Sequence, residues 1–388
     1  MSPDVRHSDP TAPTWKSWFV LASLLTDPQY VSYRLRRRWA RFAGTRPPGP
    51  APLPPKEPVP GDELDSLEVD LVYLWVSGQD PKHHQKRAEW VARCGLPAHL
   101  FNPDVRYVED DELRYSLRSA EAFAPWVRTI FIVTDDQVPA WLNRNHPRIR
   151  IVDHREIIDP ESLPTFNTKV IINSLHRIPG LGEHFLYTND DCFFGQPCRK
   201  TDFFARRGVD GRDRIVMKIM FPQGEKNFDS WIVPAHLVRR PLARLWMASY
   251  NSLKVLLETR RRWGRIRYVD SHQTQPMIKA ELAAATEEFP AEHRRTAASR
   301  FRCVHDISFI SVARYRSLHR GTAVQGFVPH AFFPFERDLE AYTRATLPTL
   351  FCINAGLGDE SLRSDRILAR LFPAPSAFEI SPAMELPQ

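Results

Sequence analysis

From Glu68 onward, short apolar runs alternate with amphipathic stretches. Val69-Asp70-Leu71-Val72-Tyr73-Leu74-Trp75-Val76 is almost continuously apolar and ends in Ser77-Gly78, which predicts a buried strand opening into a loop. Asp111 to Ala122 reads as a helix, and Thr129 to Thr134 as a second buried strand closed by Asp135-Asp136. Ile149 to Val152 gives a third strand, and Thr168 to Arg177 a helix ended by Pro179-Gly180. His184 to Thr188 gives a further strand running into Asn189-Asp190-Asp191. Strands and helices alternating at these lengths predict an α/β fold with a mostly parallel sheet. In such sheets ligands sit beyond the carboxyl ends of the strands, where Ser77, Asp135 and Asp190 fall. The second half reads as more helical, with candidates at Pro241 to Arg262, Met277 to Ala285, Ile307 to Leu318 and Leu362 to Leu371. No internal repeat is visible.

The texture ahead of Glu68 is different. Residues 1–43 join aromatic and apolar positions (Trp15, Trp18, Phe19, Val20, Leu21) to a run of arginines, a pattern that settles into an anionic headgroup layer or packs as an arm on the main domain. Eight prolines within residues 44–60 make a stiff linker. The expected organisation is an arm at 1–43, a linker at 44–66, one catalytic-sized domain at 67–372 and a tail at 373–388. The formal net charge of +7 suits polyanionic partners without choosing among them. Five cysteines without C-x-x-C spacing indicate neither a disulfide framework nor a zinc site, so a reducing cytoplasm is the default expectation. No apolar run reaches the length that spans a bilayer, and the Trp18–Leu25 stretch lacks a signal-peptide cleavage pattern.

Three clusters can carry chemistry. Asn189, Asp190 and Asp191 at a strand end are hard oxygen donors suited to Mg²⁺ or Mn²⁺, although Asp-Asp after a strand is also a common turn or cap. Arg114 and Arg118, four apart, share a helix face that can grip a diphosphate or form surface ion pairs with the acidic residues before them. His272 is a candidate proton acceptor, and Arg302, near Asp306, a candidate to hold phosphoryl charge; from spacing alone this third set is weak.

Taken together, ordered segments from residue 68 to about 360 resemble the Stealth family, which includes bacterial capsule phosphotransferases and the animal N-acetylglucosamine-1-phosphotransferase of lysosomal enzymes. The first segment is Asp70 to Asp80. The second runs from Asp111-Glu112-Leu113-Arg114-Tyr115-Ser116-Leu117-Arg118-Ser119 through Ile132-Val133-Thr134-Asp135, Leu163-Pro164-Thr165-Phe166-Asn167 and His176-Arg177-Ile178-Pro179-Gly180 to Asn189-Asp190-Asp191. Ser271-His272-Gln273 with Phe301-Arg302 and Asp306 forms the third, and Cys352-Ile353-Asn354 the fourth. The resemblance implies a sugar-1-phosphate transferase using a nucleotide-sugar, a UDP-sugar first among them, with Mg²⁺ or Mn²⁺ at Asp190, Asp191 and Asn189. It implies catalytic roles for His272, Arg302, Asp190 and Asp135. It also implies substrate contacts from Tyr73, Trp75, Arg114, Arg118, Asn167, His176, Asp306 and Asn354. The implied partners are a glycan acceptor and, through the arm, the inner membrane face; no nucleic acid is expected. The chain departs from the family pattern at Ser77, Lys169, Ile172 and Ala355, and at Glu109-Asp110. The rival readings are a metal-dependent glycosyltransferase that releases a nucleoside diphosphate, and a silent glycan- or membrane-binding protein.

Overall fold

A computed structural model describes residues 64–96, 111–209, 211–220, 273–303, 306–326, 328–333, 339, 342, 345–353 and 365–380. The N-terminal arm, nearly all of the linker, the 241–262 helix candidate, the catalytic candidate His272 and the substrate-contact candidate Asn354 lie outside these residues.

Among the described residues the central sheet has five strands: β1 (Asp70–Leu74), β2 (Ile130–Thr134), β3 (Ile149–Asp153), β4 (His184–Asn189) and β8 (Gln275–Ile278), in the order β3-β2-β1-β4-β8. The first four are parallel, as the alternating pattern predicts, and β8 is antiparallel to β4. Strand order grows outward from β1 to β3 and then reverses to place β4 on the other side of β1. That reversal opens a crevice between the carboxyl ends of β1 and β4.

Both faces of the sheet are covered, which is why its strands read as continuous apolar runs. Val72, Leu74, Phe131, Val133 and Val152 pack against α3 (Thr168–Asn173), α4 (Lys279–Glu288) and α6 (Phe309–Arg320), with α5 (Pro290–Ala297) between the last two along the chain. On the other face Tyr73 reaches α2 (Glu112–Phe123) through a 2.8 Å hydrogen bond to Ser116. At the amino end of β1, the fully buried Asp70 accepts two hydrogen bonds from Arg128 (2.8 and 2.6 Å) and one from Gly182 N (2.7 Å). The expected helix from Thr168 stops at Asn173 and continues as a 3₁₀ turn, Leu175–Arg177.

Two differences from the sequence expectation stand out. The Met277–Ala285 helix candidate begins as strand: Gln275–Ile278 pairs with β4 at the sheet edge, where Pro276 is tolerated because one side of the strand needs no ladder donor, and the helix starts only at Lys279. The second half is also less purely helical than expected. β5 (Cys192–Phe194), β10 (His330–Phe333) and β11 (Leu350–Ile353) form a small sheet in the order β10-β11-β5. β6 (Phe204–Val209), β7 (Arg212–Met220) and β9 (Ala323–Gly326) form another. The β5 sheet is locked by an aromatic cluster, Phe193, Phe333, Phe351 and Phe372, with α7 (Asp365–Leu371) alongside. Gly195, just past β5, lies against the backbone of Pro348, which leaves no room for a side chain there.

The stretch expected as a tail is docked through residue 380. Phe378 is fully buried, and Asn143 N donates to Phe378 O (2.8 Å) while Ile380 N donates to Trp141 O (2.8 Å).

Candidate active site

The site is built where β1, β2 and β4 end. Beyond β1 and β2 lies a cleft of ≈ 420 Å³ walled by Trp75, Ser77, Lys86, Asp135, Gln137 and Trp141, among others. Asp135 is held by Lys86 at 2.8 Å. Lys86 arrives on α1 (Pro81–Arg93), a helix the pattern reading missed although Asp80-Pro81 announces it: the Asp80 carboxylate caps Lys82 N at 2.9 Å and proline takes the first helical position. Gln137 was missed as well. Its amide pairs with the backbone of Ser77 like a strand neighbour, accepting from Ser77 N (3.0 Å) and donating to Ser77 O (3.0 Å). It also donates to Asp80 (2.9 Å), which is the main reason the Asp80 carboxyl sits below its ordinary pKa. Asp111 and Asp136, both on the cleft wall, adopt left-handed backbone conformations (φ 61° and 58°). Aspartate tolerates these better than most residues. Beneath the cleft, burial lowers the pKa of His83 and His154 and so favours neutral rings.

The second zone is the turn from β4 to β5. Register puts Asn189 opposite Leu74, so Asp190 and Trp75 leave their strands side by side at the reversal point. Asn189 Oδ1 accepts from the Tyr187 hydroxyl (2.8 Å), and Asp190 Oδ1 from Asp191 N (3.1 Å). Burial raises the Tyr187 phenol, with Cys192, Asp191 and Asp190 adding to the rise and Arg302 opposing it. Arg302 Nη2 donates to Thr168 Oγ1 (2.8 Å). Asn167 and Asp306 bracket it: both are fully buried, Asn167 Nδ2 donates to Asp306 (2.9 Å), and Cys303 N donates to Asp306 (2.6 Å). Their polar atoms thus shape the Arg302 loop, and burial pushes the Asp306 carboxyl above the ordinary range.

The remaining predicted residues fall elsewhere. Tyr73 is fully buried and donates toward Ser116, whose hydroxyl in turn donates to Cys192 O (2.5 Å). Arg114 and Arg118 share a face as expected, and both turn to Glu379 at the docked C-terminal segment (2.6 and 2.7 Å), 261 positions away in the case of Arg118. Arg118 adds a 2.9 Å bond to Phe372 O. His176 follows α3 at the end of the sheet where β4 begins, opposite the end that carries Asn189, because the crossover helix returns the chain to the strand starts. His272 and Asn354 lie outside the described residues, but their described neighbours reach the β4 end. Thr274 Oγ1 is 2.9 Å from Thr188 Oγ1, and Ile353 N donates to Asp191 O (3.0 Å).

Asp190 and Asp191 fit a hard divalent cation: two carboxylates on a half-buried turn are a normal protein share of a Mg²⁺ or Mn²⁺ shell, the remainder coming from water and substrate phosphates. Asn189, with its carbonyl oxygen bonded to Tyr187, is the weaker donor of the three.

Comparison with known proteins gives this geometry a family. The description "Stealth protein CR2, conserved region 2" matches residues 106–211, a span that includes α2, β2, β3, β4 and the Asn189-Asp190-Asp191 turn. An exopolysaccharide phosphotransferase of Streptomyces coelicolor is 36% identical over 331 residues, covering 81% of this chain and 52% of the relative. A capsular polysaccharide phosphotransferase of Haemophilus influenzae is 36% identical over 256 residues, covering 64% of this chain and 66% of the relative. The chain therefore spans about half the length of the Streptomyces relative and two thirds of the Haemophilus one. Among solved structures, the galactosyltransferase LgtC in complex with donor and acceptor sugar analogues overlaps 79% of this chain and 96% of its own. At 10% identity and a TM-score of 0.38 that likeness is too distant to inform the site. On its matched region and its similarity to these relatives, this chain belongs to the Stealth family.

Proposed function

We propose that the chain moves a sugar-1-phosphate from a nucleotide-sugar to a glycan hydroxyl, forming a phosphodiester in a capsular or exopolysaccharide. The observation that carries this reading is the Asp190-Asp191 turn at the β1/β4 reversal, where register sets it beside Trp75, a wall of the cleft. The exopolysaccharide and capsular polysaccharide phosphotransferases it is similar to support the polysaccharide and the phosphate. UDP-N-acetylglucosamine is the first donor to test.

In this scheme Trp75 and Trp141 flank the nucleoside end of the donor, and Gln137 keeps the Ser77 loop open for it. A divalent ion held by Asp190 and Asp191 would neutralise diphosphate charge and ease departure of the nucleotide. Arg302, fixed by Thr168 and the Asn167–Asp306 bracket, holds the phosphoryl oxygens as charge redistributes. The acceptor oxygen attacks the β-phosphorus, its proton passes to a base, and the bridging P–O bond breaks to release a nucleoside monophosphate. His272 is the proposed base, with Asp135 as the alternative. Arg114 and Arg118 act through Glu379 as supports for the cleft wall. We assign the N-terminal arm to an anionic membrane surface at the cytoplasmic face, 44–66 to a linker and 67 onward to the transferase domain.

The deciding measurement is the nucleotide released when the protein, Mn²⁺ and an acceptor glycan meet a panel of nucleotide-sugars. A nucleoside monophosphate supports phosphoryl transfer, a diphosphate moves the attack to the anomeric carbon, and no turnover with any donor would sink the enzymatic reading. Asp190→Ala and Asp191→Ala should each cut turnover by at least ~10²-fold.

A further inference from the structure

We propose that Asp191, Cys192 and Cys352 form a second cation site, specific for a thiophilic divalent ion of the Zn²⁺ type, that competes with the hard-ion site for Asp191. The register sets it up. Cys192 and Cys352 are direct partners on antiparallel β5 and β11. Ile353 N donates to Asp191 O, so the 191/353 pair is a hydrogen-bonded one and the next pair, 192/352, is not. In that alternation the non-bonded partners bring their side chains closer together. Asp191, at the mouth of the turn, points a carboxylate oxygen back at them, and Cys192 Sγ lies 3.5 Å from Asp191 Oδ1.

The two sulfurs and the carboxylate oxygen all lie within 4.8 Å of one another. Tetrahedral zinc with Zn–S near 2.3 Å and Zn–O near 2.0–2.2 Å needs ligand atoms roughly 3.5–4 Å apart, so a small contraction suffices. Two thiolates and one carboxylate select a soft or borderline ion over Mg²⁺ or Mn²⁺. The cysteines are buried and Asp191 is half-buried, so solvent reaches the cluster from the Asp191 side. Strand pairing holds the sulfurs from two directions. Ser116, bonded to Cys192 O, and Ser119, bonded to Phe194 N (3.0 Å), hold β5 on α2. The bland alternative is a pair of packed thiols: without a cation, burial raises the Cys352 thiol and keeps it protonated. In that alternative the thiols donate hydrogen bonds to the carboxylate, as Cys192 Sγ does to Asp191 Oδ1, so metal titration is what separates the two. Zinc-type binding replaces two thiol protons, which leave to solvent, with two metal–sulfur bonds.

The consequence for activity rests on the proposed role of Asp191 in the hard-ion site: micromolar-range thiophilic ion should inhibit, and added Mn²⁺ should relieve it. The binding test does not depend on that role. The full-length, reduced protein is titrated with Cd²⁺ in the absence of donor, and the ultraviolet thiolate-to-cadmium charge-transfer band is followed. One saturating equivalent is expected, with affinity reduced in Cys352→Ala and Cys192→Ala by at least the ~10–100-fold typical of even an outer-shell partner. Melting curves show whether each variant is folded, and either folded variant suffices. An absent band, or a band unchanged in a folded variant, overturns the site; so does an intact mass two hydrogens lighter, which would make the pair a disulfide. A band in a protein that turns over no donor upholds the site and removes only the activity reading. Turnover without a band does the reverse.

Discussion

Glu379 is the residue whose role changes most between chain and fold. Its side chain is 3% exposed and bonded to both Arg114 and Arg118, so removing its charge strands two guanidiniums, of which that of Arg118 is only 10% exposed. Glu379→Gln should destabilise by as much as ~3 kcal/mol, read by denaturant unfolding. Burial alone would raise the Glu379 carboxyl, but hydrogen bonds from Arg118, Ser376 N and Arg114 together outweigh it and lower its pKa from 4.5 to about 2. A depressed carboxyl pKa contributes stability in full above about pH 4.5 and loses it as pH falls toward about 2. His176 acts earlier: burial lowers its pKa from 6.5 to about 4, so the unfolded chain takes up its proton first and stability declines between those values. A melting-temperature profile should therefore fall in two stages on acidification. His176→Gln should shrink the first stage, which the equally lowered His154 shares, and Glu379→Gln should flatten the second; a profile unaffected by either variant would refute the assignment.

At the scale of elements, α2 joins three parts of the molecule. Its arginine face holds the C-terminal segment, while Ser116 and Ser119, one turn apart on another face, hold the backbone of β5 at Cys192 O and Phe194 N. Tyr73 completes a chain of hydroxyls from β1 through Ser116 to β5. The Arg-Tyr-Ser-Leu-Arg-Ser run thus sets where the Asp190-Asp191 turn stands. Ser116→Ala leaves the buried Tyr73 hydroxyl and Cys192 carbonyl short of partners, which should cost ~1–3 kcal/mol. If the turn is catalytic, the same change should lower kcat more than it alters donor KM; an unchanged kcat in a folded variant would cut the link between α2 and the turn. The long, periodic elements were plain from the pattern: β1, β2, β4, α2 and α6 fall within a few residues of expectation. The three- and four-residue strands were not, because a run as short as Cys192–Phe194 or Gln275–Ile278 has too few positions to display a period, and its partners lie far away in the chain.

Across the whole molecule, the C-terminal segment closes what the central sheet begins. Phe378 is fully buried, stacks edge-on to His146 (4.9 Å between centroids) and receives the Arg148 guanidinium at 5.4 Å, while Ile380 and Asn143 tie the segment to the loop that carries Trp141. Phe378→Ala should cost ~3–5 kcal/mol and, by loosening the Trp141 wall of the cleft, raise the KM for donor. A destabilised variant with unchanged KM would separate the segment from the cleft. Sequence alone determined the layered α/β architecture, because strands buried on both faces must be apolar throughout and the crossover helices amphipathic. It also placed Asp135 and Asp190-Asp191 at strand ends, since that follows from local order along the chain. Only tertiary structure decided which charged groups face the site. A carboxylate hundreds of residues away claims Arg114 and Arg118, Asn167 and Asp306 turn to each other, and Cys352 meets Cys192 across a sheet. Periodicity reports which face of an element is buried, whereas the partner met there is set by strand order and by the path of distant segments.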